Sequence, residues 1–363
     1  MKITDVETIP LKLGTQIVRV HTDDGITGIG EASRRSMGVF EPFVADILKP
    51  IIVGKDPRNV DRLWDDMFHG TSRLGPKGLQ TTAIGAVNIA CWDLIGKAAK
   101  LPVSALLGGA ARTTIKAYWS VGSGGDLQPD QMLEKVREGY ELGFQAFKIR
   151  MDWRAERQDT DPEKDFEMFR LCREFLPSEY PLGFDANNGY SVSTAIQQGR
   201  RFEELGIAHF EEPLPQYDYL GLKQVADALA VPVSSGEQEH TRWQFRDLIQ
   251  IGDPDILQPD VVMAGGISEV RKIYTLAETF NKPVMPHCPS AGISSAASLH
   301  LYATVTNAVR PHEYSREFTG AAAQVDTLFE EPFVLEDGHV SIPDRPGLGL
   351  VVDPSGLEAL RLD

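Results

Sequence analysis

The sequence has few cysteines: there are three among 363 residues, at Cys91, Cys172 and Cys288. They lie far apart, form no CxxC pair and are odd in number, which argues against a disulfide framework. This usage is typical of a reducing compartment, so we expect a cytoplasmic protein. No apolar run approaches the ~18 residues that a membrane-spanning helix needs, and the N-terminal segment lacks the apolar stretch of a secretion signal.

Positive charge is also in deficit, with 36 Lys and Arg against 52 Asp and Glu, for a net charge of −16. A chain this acidic is a poor candidate for binding nucleic acid or an anionic membrane surface. Partners of those two kinds are not expected, and an anionic substrate would need positive charge that is concentrated locally. The hydrophobic content of 42% supports a sizeable core and excludes an intrinsically disordered chain.

The chain divides into regions of different pattern. Residues 1–113 start with strand-like runs around an Asp24-Gly25 turn and continue into a helical pattern, as in a small α+β domain. Residues 114–326 contain eight short apolar runs separated by amphipathic stretches, which predicts parallel strands joined by helices. Eight such units favour a (β/α) barrel over an open sheet. Residues 327–363 return to short strands and turns and are expected to pack back on the first domain.

The apolar runs of the predicted barrel end in ionisable or polar residues. In a barrel the carboxyl ends of the strands meet at one rim, where active sites lie. Asp185, Glu211 and Glu237 end three consecutive runs. Three converging carboxylates repel one another unless a cation neutralises them, and hard oxygen ligands suit Mg²⁺. One such carboxylate alone would be interpreted as a solvated loop residue, but three in phase favour a metal site.

Further ionisable residues fall on the other predicted strands. Asp260 and His287 end the next two runs. A carboxylate beside an imidazole fixes its tautomer and raises its basicity, so we prefer a catalytic dyad to an ordinary buried histidine. In Lys-Ile-Arg, strand alternation places Lys148 and Arg150 on one face, the barrel interior. Two inward cations need anions; a substrate carboxylate is the functional interpretation, and a structural salt bridge is the alternative.

These residues stand within an ordered set of motifs. The first part contains HTDDGITGIGEA and ACWDLIGKAAKLPVSALLGG, and the second contains FKIR, FDANNGYS, FEEP, SSGEQ, LQPDVVMAGGIS, PHC, HEY and SIPDRPGLGL. In order and spacing the set resembles the enolase superfamily, mandelate racemase subgroup, over essentially the whole chain. The resemblance implies an α/β fold, a modified (β/α)₇β TIM-type barrel with an N-terminal α+β capping domain. It also implies a homo-oligomer.

The resemblance assigns roles to individual residues. It implies one essential Mg²⁺ per subunit on the three carboxylates named above, and a general acid/base in the dyad of His287 and Asp260. Lys148 would contact the carboxylate of a small-molecule substrate and help to stabilise an enediolate. Glu313, expected in its protonated form, would hydrogen-bond the developing oxyanion, and Asn187 would lie near the substrate.

One departure from the family pattern bears on the reaction. Where mandelate racemase has a second lysine that acts as a base, this sequence has Arg150, and a guanidinium stays protonated at pH 7. With His287 as the single evident base, inversion of a carbon centre is disfavoured. We therefore predict a hydro-lyase that dehydrates an aldonate or aldarate to a 2-keto-3-deoxy acid, with Arg150 and Asn187 binding substrate. The alternatives are a racemase or epimerase of a 2-hydroxy acid, and a catalytically weak relative that binds a metabolite or acts in regulation.

The capping domain is expected to shape specificity. The sequence PLKLGTQIVRV leaves room for only a tight turn between the first two strands. A second loop, residues 68–78, carries Arg73 and Lys77, which either meet a distal group of the substrate or are exposed loop cations. His69 and His240 are further candidates for the rim of the site, whereas His209 is expected to be structural or at the surface.

Overall fold

The N-terminal part of the chain forms an antiparallel sheet of three strands. The computed structural model describes residues 1–32, 37–152, 158–289, 292–317, 327–333 and 335–362. The sheet contains β1 (Ile3–Pro10), β2 (Gln16–Thr22) and β3 (Thr27–Ala32), in that order. Between β1 and β2, Leu11 N donates to Thr15 O and Gly14 N donates to Leu11 O, both at 2.9 Å. The connection is therefore the tight turn that the short sequence predicts.

Helices of this capping domain pack on the sheet. They are α1 (Met37–Pro42), a π-helical turn (Phe43–Leu48), α2 (Lys49–Ile52), α3 (Val60–Thr71), a 3₁₀ turn (Ser72–Leu74), α4 (Leu79–Ala99) and α5 (Val103–Leu106). The backbone of α4 lies directly against β3, since a Cβ at Gly28 would overlap Ala90 O and a Cβ at Gly30 would overlap Ala86 O. The Gly-Ile-Gly sequence thus allows sheet and helix to pack closely.

The second part of the chain is a barrel of parallel strands. The strands are β4 (Thr114–Val121), β5 (Phe147–Arg150), β6 (Leu182–Asp185), β7 (Phe210–Glu211), β8 (Val233–Ser235), β9 (Ile256–Leu257) and β10 (His312–Tyr314). β4 to β9 pair in chain order, and β10 returns to pair with β4. The seventh apolar run contributes a single parallel bridge in the described residues, from Val284 to Leu257. The predicted barrel class is confirmed.

Each of the strands β4 to β9 is followed by a helix on the outside of the barrel, and a further helix follows the bridge at Val284. These are α6 (Pro129–Glu141), α7 (Pro162–Phe175), α8 (Val192–Glu204), α9 (Tyr219–Ala228), α10 (Thr241–Asp247) with a π-helical turn (Leu248–Gly252), α11 (Ile267–Thr279) and α12 (Ile293–Tyr302). Asp161, Ser191 and Asp218 cap α7, α8 and α9 by accepting a backbone N–H with their side chains. Among the described residues no helix is long and apolar enough to cross a membrane.

Buried hydrogen bonds join the capping domain to α11 of the barrel. Trp64 Nε1 donates to Gly265 O at 2.7 Å, just before that helix. Asn88 Nδ2 and Trp92 Nε1 both donate to Ser268 Oγ, at 3.0 Å each. Because α11 follows the carboxyl end of β9, these contacts place the cap beside the rim at which the strands end.

The C-terminal segment contacts both domains. It contains β11 (Leu335–Glu336), β12 (His339–Ser341) and α13 (Pro354–Leu360), and β12 pairs antiparallel with β4. Leu348 N donates to Asp93 Oδ1 of α4 at 2.8 Å, and Leu362 N donates to Pro10 O at 2.9 Å. The division into residues 1–113, 114–326 and 327–363 stays a prediction, and residues 318–326 lie outside the described residues.

Candidate active site

Three carboxylates converge at the carboxyl ends of neighbouring strands. Asp185 ends β6, Glu211 ends β7, and Glu237 lies two residues beyond β8. Asp185 and Glu211 are direct register partners. One carboxylate oxygen of each residue lies within 4.8 Å of the others. The barrel thus brings together the three residues in which the sequence predicts metal ligands, although they are 52 positions apart at the extremes (237 minus 185).

The electrostatics of this carboxylate triad favour a bound cation. Burial and the neighbouring Glu211 raise the pKa of Asp185 well above its ordinary value, and burial raises the pKa of Glu237. Like charges at this separation repel, and a divalent cation replaces the repulsion with attraction. Carboxylate oxygens from separate strands beside an open cavity are a donor set that Mg²⁺ takes while it keeps positions for other oxygens. The residues present therefore fit that ion.

Lys148 lies fully buried among the carboxylates. Its Nζ contacts Glu211 Oε1, lies 3.1 Å from Glu313 Oε1 and lies 3.9 Å from Asp185 Oδ2. Burial lowers the pKa of Lys148, but the charges of Glu211 and Glu313 outweigh burial and raise it well above its ordinary value. The side chain is therefore an ammonium ion, and it supplies the local positive charge that an anionic substrate needs.

His287 and Asp260 form a hydrogen-bonded pair. His287 Nδ1 lies 2.8 Å from Asp260 Oδ2, and Nε2 lies 3.4 Å from Glu237 Oε2. Asp260 Oδ1 accepts the backbone N–H groups of Val262 and Met263 at 2.8 and 2.9 Å, which orients the carboxylate. Burial lowers the pKa of His287, but Glu237, Asp260 and the more distant carboxylates outweigh it and raise the pKa to about 10. Asp260 thus engages one ring nitrogen and leaves Nε2 toward the triad.

Glu313 closes the site on the side of the eighth strand. It lies on β10, and its Oε2 accepts Cys288 N–H at 2.8 Å while its Oε1 faces Lys148. Burial raises the pKa of Glu313, but the ammonium of Lys148 and the nearby His287 ring outweigh burial and lower it to about 2. Lys148, which the barrel brings across from β5, therefore favours the ionised form of Glu313 in this structure. The expected protonation of Glu313 during the reaction stays a prediction.

Arg150 has carboxylate partners within the protein. Its Nη2 donates to Glu317 Oε2 at 2.6 Å, and its Nη1 lies 3.4 Å from Asp152 Oδ1. Glu317 also accepts Gly122 N–H at 2.7 Å and Lys135 Nζ at 2.5 Å. This is the salt bridge that the sequence left as the alternative interpretation. Arg150 also lines the cavity described below, so the salt bridge leaves substrate binding at this residue untested.

Asn187 sits against the first carboxylate of the triad. Its backbone N–H donates to Asp185 Oδ1 at 2.8 Å, and its Nδ2 donates to Asp185 Oδ2 at 3.0 Å. Its Oδ1 accepts Asp152 N–H at 2.7 Å. With φ at +44° the residue is in the left-handed region, which asparagine tolerates better than most residues. Asn187 therefore orients Asp185, and it also lines the cavity.

A cavity of about 130 Å³ lies between these side chains and the capping domain. His287, Asp260, Asp185 and Glu237 line it from the barrel. The capping domain contributes three lining residues, which are Thr15, Glu31 and Ala32. Barrel loops add a largely apolar wall, formed by Val261, Val262, Met263, Cys288, Pro289 and Ser294. The cavity is of a size for a small organic acid.

The cap loop of residues 68–78 does not line this cavity within the described part of the chain. Arg73 and Lys77 are exposed, as expected if they are ordinary loop cations. The loop is attached instead through His240, whose Nε2 accepts Gly78 N–H at 3.2 Å. His240 Nδ1 lies 2.7 Å from Met263 O, so the ring joins the loop to the barrel rim.

Sequence reasoning missed Glu31 as a residue of the site. It ends the cap sheet, is buried, and its Oε2 accepts both the N–H and the hydroxyl of Ser294 at 2.8 Å. Glu31 belongs to the GITGIGEA motif, but no pattern within that motif indicates that its carboxylate reaches the cavity. Only the packing of the cap on the start of α12 brings it there.

The sequence matches two profiles of known protein families. The sequence profile described as "Mandelate racemase / muconate lactonizing enzyme, N-terminal domain" matches residues 7–108, and the profile described as "Enolase C-terminal domain-like" matches residues 131–356. The chain belongs to the mandelate racemase branch of the enolase superfamily. The predicted family is confirmed, and the cap and barrel seen here are the two domains to which its profiles correspond.

Curated members of the superfamily include close relatives of this chain. Arabinonate dehydratase of Saccharolobus solfataricus is 35% identical over 340 residues, covering 92% of this chain and 87% of that protein. D-galactarolactone cycloisomerase of Agrobacterium fabrum is 32% identical over 355 residues, covering 95% and 91%. Both relatives, by their names, act on sugar acids or their lactones.

One similar solved structure of the superfamily contains magnesium. The mandelate racemase/muconate lactonizing protein from Paracoccus denitrificans PD1222, complexed with magnesium, is 36% identical. The two structures superpose with a TM-score of 0.94, covering 99% of this chain and 97% of that one. Magnesium binding by this neighbour is consistent with the acidic triad of the present chain.

Proposed function

We propose that this protein is a dehydratase of an acid sugar, either an aldonate or an aldarate, that produces a 2-keto-3-deoxy acid. The observation that carries the proposal is the orientation of His287, whose Nδ1 is engaged by Asp260 and whose Nε2 faces the carboxylate triad. One base held in this way suits removal of an α-proton and return of that proton to a leaving hydroxyl on the same face. The relative named arabinonate dehydratase supports the same activity class.

One Mg²⁺ per subunit would be held by Asp185, Glu211 and Glu237, whose oxygens converge as such a site requires. When bound, the ion would neutralise the substrate carboxylate and stabilise the negative charge that develops as the α-proton leaves. Lys148 would bind the same carboxylate with its ammonium and share in that stabilisation, since preorganised charge contributes most where charge develops.

The proton transfer falls to the dyad. The charges of Glu237 and Asp260 hold the imidazole protonated in this structure. With a cation on the triad, Glu237 would no longer do so, and Nε2 of the neutral ring takes the α-proton while the C–H electron pair moves into the carbon–carbon bond of an enediolate. The imidazolium, held by ionised Asp260, then donates its proton to the β-hydroxyl, and the carbon–oxygen bond breaks to release water. The resulting enol tautomerises to the 2-keto-3-deoxy acid. Glu313 would hold Lys148 in place and, once protonated by exchange with it or with solvent, hydrogen-bond the oxyanion.

The remaining polar residues of the cavity would bind the body of the substrate. Arg150 and Asn187 both line the cavity, and we propose that each contacts a substrate hydroxyl or carboxylate. We also propose that the enzyme works in the cytoplasm as a homo-oligomer. Its three cysteines are buried free thiols, which is consistent with a reducing compartment.

A racemase or epimerase of a 2-hydroxy acid is the second candidate function. Such a reaction needs a base on the face opposite His287, and that position holds Arg150, which is paired with Glu317. A non-catalytic relative would be expected to lack part of the machinery, whereas the triad, the dyad and Lys148 are all present. Both alternatives are therefore less well supported than dehydration.

The test is a screen of aldonic and aldaric acids with Mg²⁺, in which the product 2-keto acid is detected as its semicarbazone. Turnover of one or a few stereoisomers would support the proposal and identify the configuration at C2 and C3. If no acid is dehydrated, the same panel is incubated in D₂O. Exchange of the α-proton without dehydration would favour epimerisation, and absence of exchange would favour a binding role.

A further inference from the structure

His209 lies directly beneath the metal-ligand carboxylate of Glu211. His209 immediately precedes β7 and Glu211 ends it. Because residues two apart in an extended chain lie on the same face, both side chains face the barrel interior. His209 Nε2 lies 3.3 Å from Glu211 Oε2, which is its nearest charged neighbour, and no described residue makes a hydrogen bond of good geometry to that nitrogen. The ring is 5% exposed and does not line the substrate cavity. It can therefore act on the reaction only through another residue.

Glu211 is held by donors on both of its oxygens. Oε1 contacts the ammonium of Lys148, and Oε2 accepts Gln258 Nε2 at 2.5 Å. His209 Nε2 approaches Oε2 as well, so Gln258 and the imidazole lie on either side of the oxygen that Lys148 does not contact. Partners of this kind orient a ligand carboxylate and tune its affinity for the metal.

The ring occupies space that a glycine provides. A Cβ at Gly183 would overlap His209 Cε1 and lie 2.6 Å from Nε2 and 2.7 Å from Nδ1. All three nearest atoms belong to this one ring, so the histidine ring is the group that the absence of a side chain at Gly183 admits. Gly183 lies two residues before Asp185 on β6 and pairs with Lys148 on β5. The pair is thus built into the strands that carry the metal site.

We propose that His209 is a positioning residue for Glu211 and sets the affinity of the site for Mg²⁺, with Gly183 as the space that admits its ring. The inference rests on the proposed function, because it takes Glu211 as a metal ligand. His209 keeps the Glu211 carboxylate turned toward the other two ligands, and any side chain larger than glycine at position 183 displaces the ring from that contact.

The direct test is His209→Phe, which keeps a buried ring and removes the N–H. Mg²⁺ is titrated into the protein without substrate by isothermal calorimetry, and thermal unfolding of the metal-free protein is measured in parallel. We expect the dissociation constant for Mg²⁺ to rise about 10- to 100-fold, the usual effect of losing such a partner. His209→Gln retains an N–H donor and should recover part of the affinity. His300→Phe is the matched control, since it removes another buried imidazole, on α12, and should leave Mg²⁺ affinity unchanged.

A second, independent arm uses the glycine. Gly183→Ala should lower the melting temperature and weaken Mg²⁺ binding, because the methyl group displaces the ring. In the His209→Ala background the same methyl group enters vacated space, so Gly183→Ala should cost little further stability. Mg²⁺ affinity should stay weak in that double variant, because the N–H is still missing.

The outcomes separate this role from the proposed function. Mg²⁺ binding to His209→Phe within twofold of the wild type would overturn the role, as would equal losses of stability from Gly183→Ala in both backgrounds. A wild-type protein that binds no Mg²⁺ would overturn it too. A wild-type protein that binds Mg²⁺ but dehydrates no sugar acid would overturn the proposed function and leave the role of His209 standing.

Discussion

His287 lies between two carboxylates that follow different strands of the barrel. Its Nδ1 is 2.8 Å from Asp260 Oδ2, and its Nε2 is 3.4 Å from Glu237 Oε2. Asp260 is anchored independently by the backbone N–H groups of Val262 and Met263. The direction of the ring is therefore set by the protein before substrate arrives. This relationship decides which ring nitrogen can act on the substrate, and the first two predictions depend on it.

Replacing His287 with asparagine should abolish exchange of the α-proton. The substitution removes Nε2, the atom assigned to take the proton, while it keeps a polar side chain in the cavity. The measurement is deuterium incorporation at C2 in D₂O, followed by NMR with a sugar acid that the wild type turns over. Exchange in H287N within tenfold of the wild-type rate would contradict the assignment of His287 as the base.

Replacing Asp260 with asparagine should slow the reaction by a factor on the order of 10² or more, because the charge that supports the imidazolium is lost. Asp260 is one of the carboxylates that raise the pKa of His287, so the substitution should lower that pKa. The rise in rate that follows deprotonation of His287 would then move to lower pH. Asp152→Asn is the control, because Asp152 lines the same cavity without contacting His287. An unshifted pH–rate profile in D260N would rule out this coupling.

Replacing Arg150 with methionine should raise KM more than it lowers α-proton exchange. The guanidinium is assigned to substrate binding and not to proton transfer, so exchange at saturating substrate should persist. Lys135→Met is the matched control, since Lys135 shares the partner Glu317 but does not line the cavity. Equal rises in KM for both variants would show that Arg150 acts only through Glu317, and complete loss of exchange in R150M would contradict its assignment.

Acid should destabilise the fold through His300. This imidazole on α12 accepts Ser104 N–H at 3.3 Å, and burial lowers its pKa from 6.5 to about 4. Between those two values the unfolded chain binds more protons than the folded one. The stabilisation is therefore complete above pH 6.5 and is lost as the pH falls toward 4, by about 3 kcal/mol.

The measurement for His300 is urea unfolding between pH 7.5 and 4.5. The His300→Leu variant loses the Ser104 contact and should be less stable at pH 7.5. Its free energy of unfolding should nevertheless fall less steeply with acid than that of the wild type, because the titrating group is gone. If the free energy of unfolding falls equally steeply with acid in the two proteins, His300 is not the source of the acid sensitivity.

Much of the site could be predicted because a barrel is built from a repeated strand–helix unit. Asp185, Glu211 and Glu237 recur at one strand–helix unit each, and so do Asp260 and His287. A barrel converts that spacing in sequence into proximity at one rim. The alternation of a strand likewise places Lys148 and Arg150 together on the inner face. Local chemistry and a repeating fold were sufficient for these residues.

Other features depend on contacts that no spacing encodes. Arg150 meets Glu317, which is 167 positions away, and the charge of Glu313 depends on Lys148 across the barrel. Glu31 reaches the cavity because the cap packs on Ser294, and His209 became informative only beside Gly183. In each case the decisive neighbour comes from another domain or another strand.

The sequence by itself determined the alternation of strands and helices, the carboxylates and the dyad at the strand ends, and the arginine at position 150, because these are properties of local pattern and residue type. The tertiary structure alone decided which charges are paired, which carboxylates lie beside Lys148 and which cap residues reach the cavity. Those outcomes depend on burial and on distances of a few ångströms, and only the folded chain sets both.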